Sequence, residues 1–213
     1  KTMSTIFPAV RAVGEGKGET IFYLTAKTIT RTVAQEGFEV LREKGMKYKV
    51  VTITAKEKLC FMDETKCDPV HCPYARGHFD RVNDAVYELC TTKSRYDRET
   101  IREQAEKWQV CPFEMCLDLS VWVDAVICDY NYVFDPMVHL KRFFGEGAGG
   151  DYIFLIDEAH NLAERGREMY SASICREDAV RVRKVMKERA PRLYRSLGKL
   201  DKQLKELQVD CGD

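Results

Sequence analysis

Asp157 and Glu158 follow directly on Tyr152-Ile153-Phe154-Leu155-Ile156, and their type and place suit chemistry on a phosphate. A carboxylate at the end of a strand can hold Mg²⁺, and its neighbour can orient or deprotonate an attacking water. The bland alternative is a strand capped by a solvated acidic pair. At the other end of the chain, Lys1-Thr2 fits the last two residues of a phosphate-binding loop, where backbone N–H groups and a following helix face the phosphates. On that reading Lys1 meets the β/γ-phosphates, Thr2 meets the Mg²⁺, and glycines precede Lys1. Alone the dipeptide says nothing; its distance ahead of the acid pair gives it meaning.

Thiols are the second chemical resource. The chain has nine cysteines in 213 residues, and in a reducing compartment such a count points to metal or cluster binding before disulfides. Cys60, Cys67, Cys72 and Cys111 are separated by six, four and 38 residues. Four thiolates can close a tetrahedral zinc site or hold an iron–sulfur cluster. Zinc ribbons usually carry two tight Cys-x-x-Cys knuckles, and none occurs here, so the wide gaps suit a cluster better. Cys90, Cys128, Cys175 and Cys211 sit in helix or strand patterns and read as buried free thiols. Cys116 lies on a helix just past Cys111 and is left outside the ligand set. His71 and His78 read as surface or hydrogen-bonding residues rather than ligands.

The elements that must place these groups follow from hydrophobic pattern. Tyr152–Ile156 is an unbroken apolar run, which predicts a strand buried on both faces of a parallel sheet. Ile21-Phe22-Tyr23-Leu24 predicts a strand ending at Thr25-Ala26-Lys27-Thr28. A helix through Val33, Phe38, Val40 and Leu41 follows and stops near Gly45, and Lys49–Thr54 predicts a further strand ending at Ala55-Lys56. Strand, helix, strand at this spacing is a βαβ unit, so the strands are parallel and the fold class is α/β. In such sheets chemistry lies outside the carboxyl ends of the strands, which is where Asp157 and Glu158 stand. Thr25, Lys27 and Lys56 stand on the same rim and suit contact with a nucleic-acid backbone; ordinary polar strand ends are the alternative.

Phe79–Leu89 and Arg98–Trp108 predict two helices between the third and fourth of these cysteines. From Cys60 to Cys111 there are eight Lys/Arg and ten Asp/Glu, so this insert is no basic patch, and DNA contact there needs a few placed side chains and aromatics. From Arg176 to Lys205 there are eleven basic and four acidic residues, with Val180, Val185, Leu193, Leu197, Leu200 and Leu204 near helical spacing. This predicts a basic amphipathic helix, or two broken near Pro191. Over the whole chain Lys+Arg and Asp+Glu both number 34, so net charge favours no nucleic acid partner. No apolar run approaches the ~20 residues that span a bilayer, and no signal peptide is visible. The expectation is therefore an intracellular, cytoplasmic protein, nucleoid-associated if bacterial.

The run Asp157-Glu158-Ala159-His160 resembles the DEAH box of superfamily 2 helicases, and Thr25–Thr28 is similar to their DNA-contacting motif Ia. Cys72-Pro73-Tyr74 and Cys111-Pro112-Phe113 resemble the Cys-Pro-aromatic pattern in the iron–sulfur insertion of XPD/DinG-like helicases. Ala125–Pro136 is similar to that family's strand before motif II, with its Asn131-Tyr132 and Asp135-Pro136.

The resemblance implies a RecA-like, P-loop NTPase motor domain 1 divided as 1–59, an iron–sulfur insertion at 60–111, the rest of the motor at 112–162, and the start of a helical arch-like insertion at 163–213. It implies an ATP-dependent DNA helicase, here a fragment lacking the phosphate-loop glycines and the second motor domain. The implied cofactors are a [4Fe–4S] cluster on Cys60, Cys67, Cys72 and Cys111, together with ATP and Mg²⁺. His160 then links the nucleotide site to the DNA side. The implied partners are single-stranded DNA, DNA junctions and the remainder of the helicase chain. A non-catalytic zinc-binding nucleic-acid module and a protein-remodelling ATPase are the rival readings.

Overall fold

In the strand Thr20–Thr25 (β1), side chains alternate between two buried faces: Ile21 and Tyr23 enter one apolar cluster, Phe22 and Leu24 another. Successive strand residues point to opposite faces, so a strand apolar at every position must be covered on both sides. The computed structural model describes residues 2–211, the side chain of Thr28 apart. The other strands are Val50–Thr52 (β2), Arg95–Tyr96 (β3), Ala125–Asp129 (β4) and Tyr152–Ile156 (β5). They form one sheet in the order β3-β2-β4-β1-β5, and every pairing is parallel. This is the α/β parallel-sheet architecture expected from the βαβ spacing.

One face of the sheet is covered by Thr2–Gly14 (α1) and Thr28–Glu43 (α2), through Ile6, Ala9, Ala34 and Phe38. The other carries the larger core. There Lys56–Leu59 (α3), His78–Thr92 (α4), Arg98–Trp108 (α5) and Pro112–Leu119 (α6) deliver Leu59, Leu89, Ile101, Ala105, Met115 and Leu119 onto Phe22, Val51 and Val126. Asn131–Phe134 (α7) and Lys141–Phe144 (α8) follow β4, and Leu162–Met169 (α9) follows β5. Phe22 meets Phe143 at 5.1 Å and Tyr152 at 5.3 Å edge-on, and stacks on Phe154 at 5.6 Å. Such pairs each add about 0.5–1.5 kcal/mol beyond the area they bury.

β5 departs from expectation. It is an outer strand, none of its residues is fully buried, and Phe154 is 41% exposed. An apolar run cannot distinguish an inner from an outer strand, because pattern reports what a residue prefers to touch and not what stands beside it. Among the described residues β1 is the only strand paired with β5.

The chain divides into two compact units, Lys1–Met169 and Tyr170–Asp213. The second is built on Arg176–Arg189 (α10) and Pro191–Cys211 (α11). The helical pattern is thus broken at Ala190, and Pro191 opens the next helix, where its missing N–H costs nothing. Arg176 Nε lies 2.7 Å and Arg183 Nη1 3.9 Å from the Asp201 carboxylate, and the Arg183 guanidinium sits 4.7 Å from the Tyr194 ring centre. A Cβ at Gly198 would stand 3.0 Å from the Arg183 guanidinium. Val182, Val185, Leu193 and Leu207 remain exposed within this unit.

Candidate active site and cysteine-bearing insert

Asp157 is fixed by the strand it ends: its N–H donates to the Leu24 carbonyl at 3.0 Å, continuing the β1–β5 ladder. Tyr130, fully buried at the end of β4, donates its hydroxyl to the carbonyls of Asp157 and Glu158. Glu158 takes a left-handed backbone, φ 50° and ψ 46°. That conformation is uncommon for a residue with a side chain and is found where surrounding structure holds it. The Glu158 side chain is exposed. His160, in the 3₁₀ turn Ala159–Asn161, brings Nδ1 to 3.3 Å from Glu158 Oε2.

Asp157 shares a cavity of about 320 Å³ with Thr2, Thr5 and Tyr23. Burial first, then the Asp157 charge, pushes the Tyr23 phenol up, while a hydrogen bond with Thr2 pulls it down. Thr2, Tyr23 and Asp157 are therefore neighbours, although 155 positions separate the first and last (157 − 2). Lys1 lies outside the described residues.

The three positions read as backbone contacts separate. Thr25 is fully buried and turns its hydroxyl to the Lys27 carbonyl at 3.5 Å, so it shapes the loop from within. Lys27 is exposed immediately before α2. Lys56 opens α3, half-buried, with Nζ 5.6 Å from the Phe113 ring centre. Its hydrogen bond to Cys67, foremost, raises its pKa against the cost of burial, and Cys111 contributes to the same effect. Lys56 thus reaches one of the four cysteines, Cys67. It also lines a cavity of about 770 Å³ at the carboxyl ends of β1, β2 and β4, with Arg31, Phe113, Asn131, Tyr132 and Arg142. A larger opening of about 1040 Å³ between α2 and α5 shares Arg31 and adds Thr54, Arg95 and Arg102.

All nine cysteines are free thiols. Cys72 is buried, Cys60 and Cys111 are half-buried and Cys67 is exposed. Among the described residues no three His, Cys, Asp or Glu side chains are grouped closely enough for one metal ion. The segments bearing the cysteines are nonetheless tied together. Phe61, next to Cys60, packs on Tyr74 at 4.6 Å, and the Cys111 N–H donates to His78 Nδ1 at 3.2 Å. His78 is therefore a buried hydrogen-bonding residue, whereas His71 is exposed and pairs with Asp68 at 2.8 Å. Cys116 and Cys128 are wholly buried, and burial pushes the Cys116 thiol up to about 12. Cys175 and Cys211 are exposed rather than buried, because each sits at a helix end of the second unit.

Sequence reasoning missed Tyr130, Arg81 and Arg102. The last two looked like ordinary charges in an acidic insert. Tyr130 could have been suspected from its place directly after a buried strand.

A parallel sheet covered on both faces, with an acid pair turned out at a strand's carboxyl end, defines an α/β domain of the RecA-like kind. Residues 30–179 match the family model described as DEAD_2, and the chain belongs to that family. Over 104 residues it is 31% identical to a curated relative, the "Fanconi anemia group J protein homolog" of Gallus gallus, covering 48% of this chain and 8% of the relative. Two solved structures share the fold. One, "XPD_Helicase", superposes with TM-score 0.59 at 18% identity over 96% of this chain and 35% of its own. The other, "Truncated XPD", gives 0.58 at 19% identity over 96% and 58%. The chain thus spans about a twelfth of that curated relative and between a third and three-fifths of those structures. Among the described residues no helix is long and apolar enough to cross a membrane.

Proposed function

We propose that the chain is part of motor domain 1 of an ATP-dependent DNA helicase. Its parts are motor at 1–59 and 112–162, an iron–sulfur insertion at 60–111 and a helical insertion from 163. The observation that carries this reading is the shared cavity of Thr2 and Asp157, beside Tyr23, at the carboxyl ends of β1 and the outer strand β5. Hydroxyl and carboxylate oxygens are the hard ligands that suit Mg²⁺, which when bound offsets charge on transferring phosphates. Asp157 and Thr2 would hold that ion. Glu158, exposed, orients the attacking water and accepts its proton. His160, paired with Glu158, fixes that carboxylate's direction. Lys1 completes the phosphate contacts in this reading.

Single-stranded DNA fits the rim that carries Lys56, Arg31, Arg142, Phe113 and Tyr132. Cations that track a backbone, interleaved with rings on which bases stack, bind single strands without reading sequence. One related structure is named as a helicase, "XPD_Helicase", which is in keeping with a nucleic-acid partner. Cys60, Cys67, Cys72 and Cys111 would hold a [4Fe–4S] cluster. The hydrogen bond between Lys56 and Cys67 supports this, since an ammonium there would offset negative sulfur. The contacts Phe61–Tyr74 and Cys111 N–H to His78, which link the segments of Cys60, Cys72 and Cys111, support it further.

The test is ATP turnover by the intact protein with and without single-stranded DNA. Wild type is expected to be stimulated by DNA, and Asp157→Asn or Glu158→Gln to lose about 10²–10⁴-fold in rate at unchanged melting temperature. Undiminished turnover in both variants, or indifference to DNA, sinks the reading.

A further inference from the structure

Two arginines on the helices of the insert spend their charge on backbone carbonyls of the segments that carry cysteines. α4 and α5 pack through Ala85, Leu89, Ile101 and Ala105, and Gln104 Nε2 donates to the Ala85 carbonyl at 3.0 Å. Arg81 reaches out from α4. Its Nε donates to the Trp108 carbonyl at 3.0 Å, and its Nη2 to the carbonyls of Arg76 at 2.8 Å and Gln109 at 2.6 Å. Trp108 and Gln109 close α5, so these are helix-end carbonyls without a following turn, where a cation is favoured. Gln109 is left-handed, φ 52°, and Cys111 lies two residues on. Arg76 ends the turn that Cys72 begins, since the Cys72 carbonyl accepts from the N–H groups of Ala75 and Arg76 at 3.2 Å. One guanidinium therefore joins the Cys72 turn to the approach to Cys111.

Space has been cleared for that guanidinium. Gly77, φ 66°, lies between Arg76 and His78, and a Cβ there would stand 2.6 Å from Arg81 Nη1. The same bend places His78 under Cys111, whose N–H it accepts on Nδ1 at 3.2 Å.

Arg102, on α5, treats Cys60 in the same way. Its Nη1 donates to the carbonyls of Leu59 at 2.7 Å and Cys60 at 3.2 Å. Its guanidinium lies 4.4 Å from the Phe61 ring centre, and that ring packs on Tyr74, two residues past Cys72. No acid pairs with either guanidinium among the ion pairs of the described residues.

We propose that Arg81 and Arg102 are positioning residues that pre-set three of the four cysteine-bearing segments for the cluster, leaving the exposed Cys67 as the last to close. The proposal rests on the cluster reading above. Neither arginine would be a ligand; each fixes the backbone of segments that carry cysteines. The planar guanidinium fork can bond two or three carbonyls at once, and an ammonium cannot reproduce that geometry. Groups that orient metal ligands are worth about 10–100-fold in affinity.

The test uses the intact protein with Arg81→Lys, Arg102→Lys and, as a control, Arg98→Lys at an exposed position of α5. Measured are iron and acid-labile sulfide per chain, the rate at which visible cluster absorbance is lost to a chelator, and the EPR spectrum of the reduced cluster. Circular dichroism checks the fold. Folded Arg81→Lys and Arg102→Lys are expected to release iron about tenfold faster than wild type, with altered EPR spectra, while Arg98→Lys matches wild type. Wild-type release rates and spectra in both variants overturn the positioning role and leave the cluster reading standing. Wild-type protein without iron and sulfide overturns the cluster reading, and this proposal with it.

Discussion

Asp157 and Glu158 take their positions from one strand and one turn, whereas the segments of Cys60, Cys72 and Cys111 are held by two packed helices and the arginines on them. The acid pair needs little core of its own: Asp157 continues a ladder, Glu158 is exposed, and the local cost is a left-handed backbone. The insert invests in burial, with Val82, Ala85, Leu89, Ile101, Ala105 and Val110 all inside. Chemistry at a strand end is addressed locally. A site assembled from distant segments must be addressed by packing.

Removing packing from the insert is the strongest way to break this contrast. Leu89→Ala opens a cavity beneath α4 and is expected to cost about 2–5 kcal/mol by chemical denaturation. Increased protease nicking within 60–111 should accompany it. Loss of stability with the insert still protected from protease would mean that the two regions do not differ in this way.

The acid pair should respond in the opposite sense. Glu158→Gly removes the left-handed strain and is expected to gain about 1 kcal/mol in stability while ATP turnover collapses. A variant that is less stable than wild type would show that Glu158 is held by contacts rather than by the turn.

The smallest effect concerns Glu88 on α4, which accepts from Lys107, Trp108 Nε1 and Gln104. Those hydrogen bonds, Lys107 first, hold its carboxyl at about 2, against an ordinary 4.5. The folded value lies below the unfolded one, so the stabilisation is complete above the unfolded pKa and is lost as pH falls from about 4.5 toward 2. Melting temperature of wild type should fall through that window more than that of Glu88→Gln. Parallel pH curves would remove Glu88 from the account of the insert.

The same contrast explains what could be read in advance. The helix Arg98–Trp108 was legible to the residue, and the strands around Ile21–Leu24 and Tyr152–Ile156 to within one, because apolar spacing and turn residues are local signals. The outer position of β5 was not, since which strand stands beside another is decided by the order of crossovers. Thr25 looked like a rim residue and is buried, because a hydroxyl at a strand end has a carbonyl within reach two residues on. Lys56 bonds Cys67 as well as lining the groove, which its sequence neighbours gave no hint of. Arg81 and Arg102 bond carbonyls, which every residue possesses, so no side-chain pattern announces them.

Tyr130 carries one more implication. Its hydroxyl reaches from the end of β4 to the carbonyls behind the acid pair, while Asn131 and Tyr132, the next two residues, line the basic groove. Strand end, groove wall and the backbone behind the carboxylates are thereby joined through a single phenol, so in the proposed helicase a push on the groove and a pull on the acid pair would meet in one short lever.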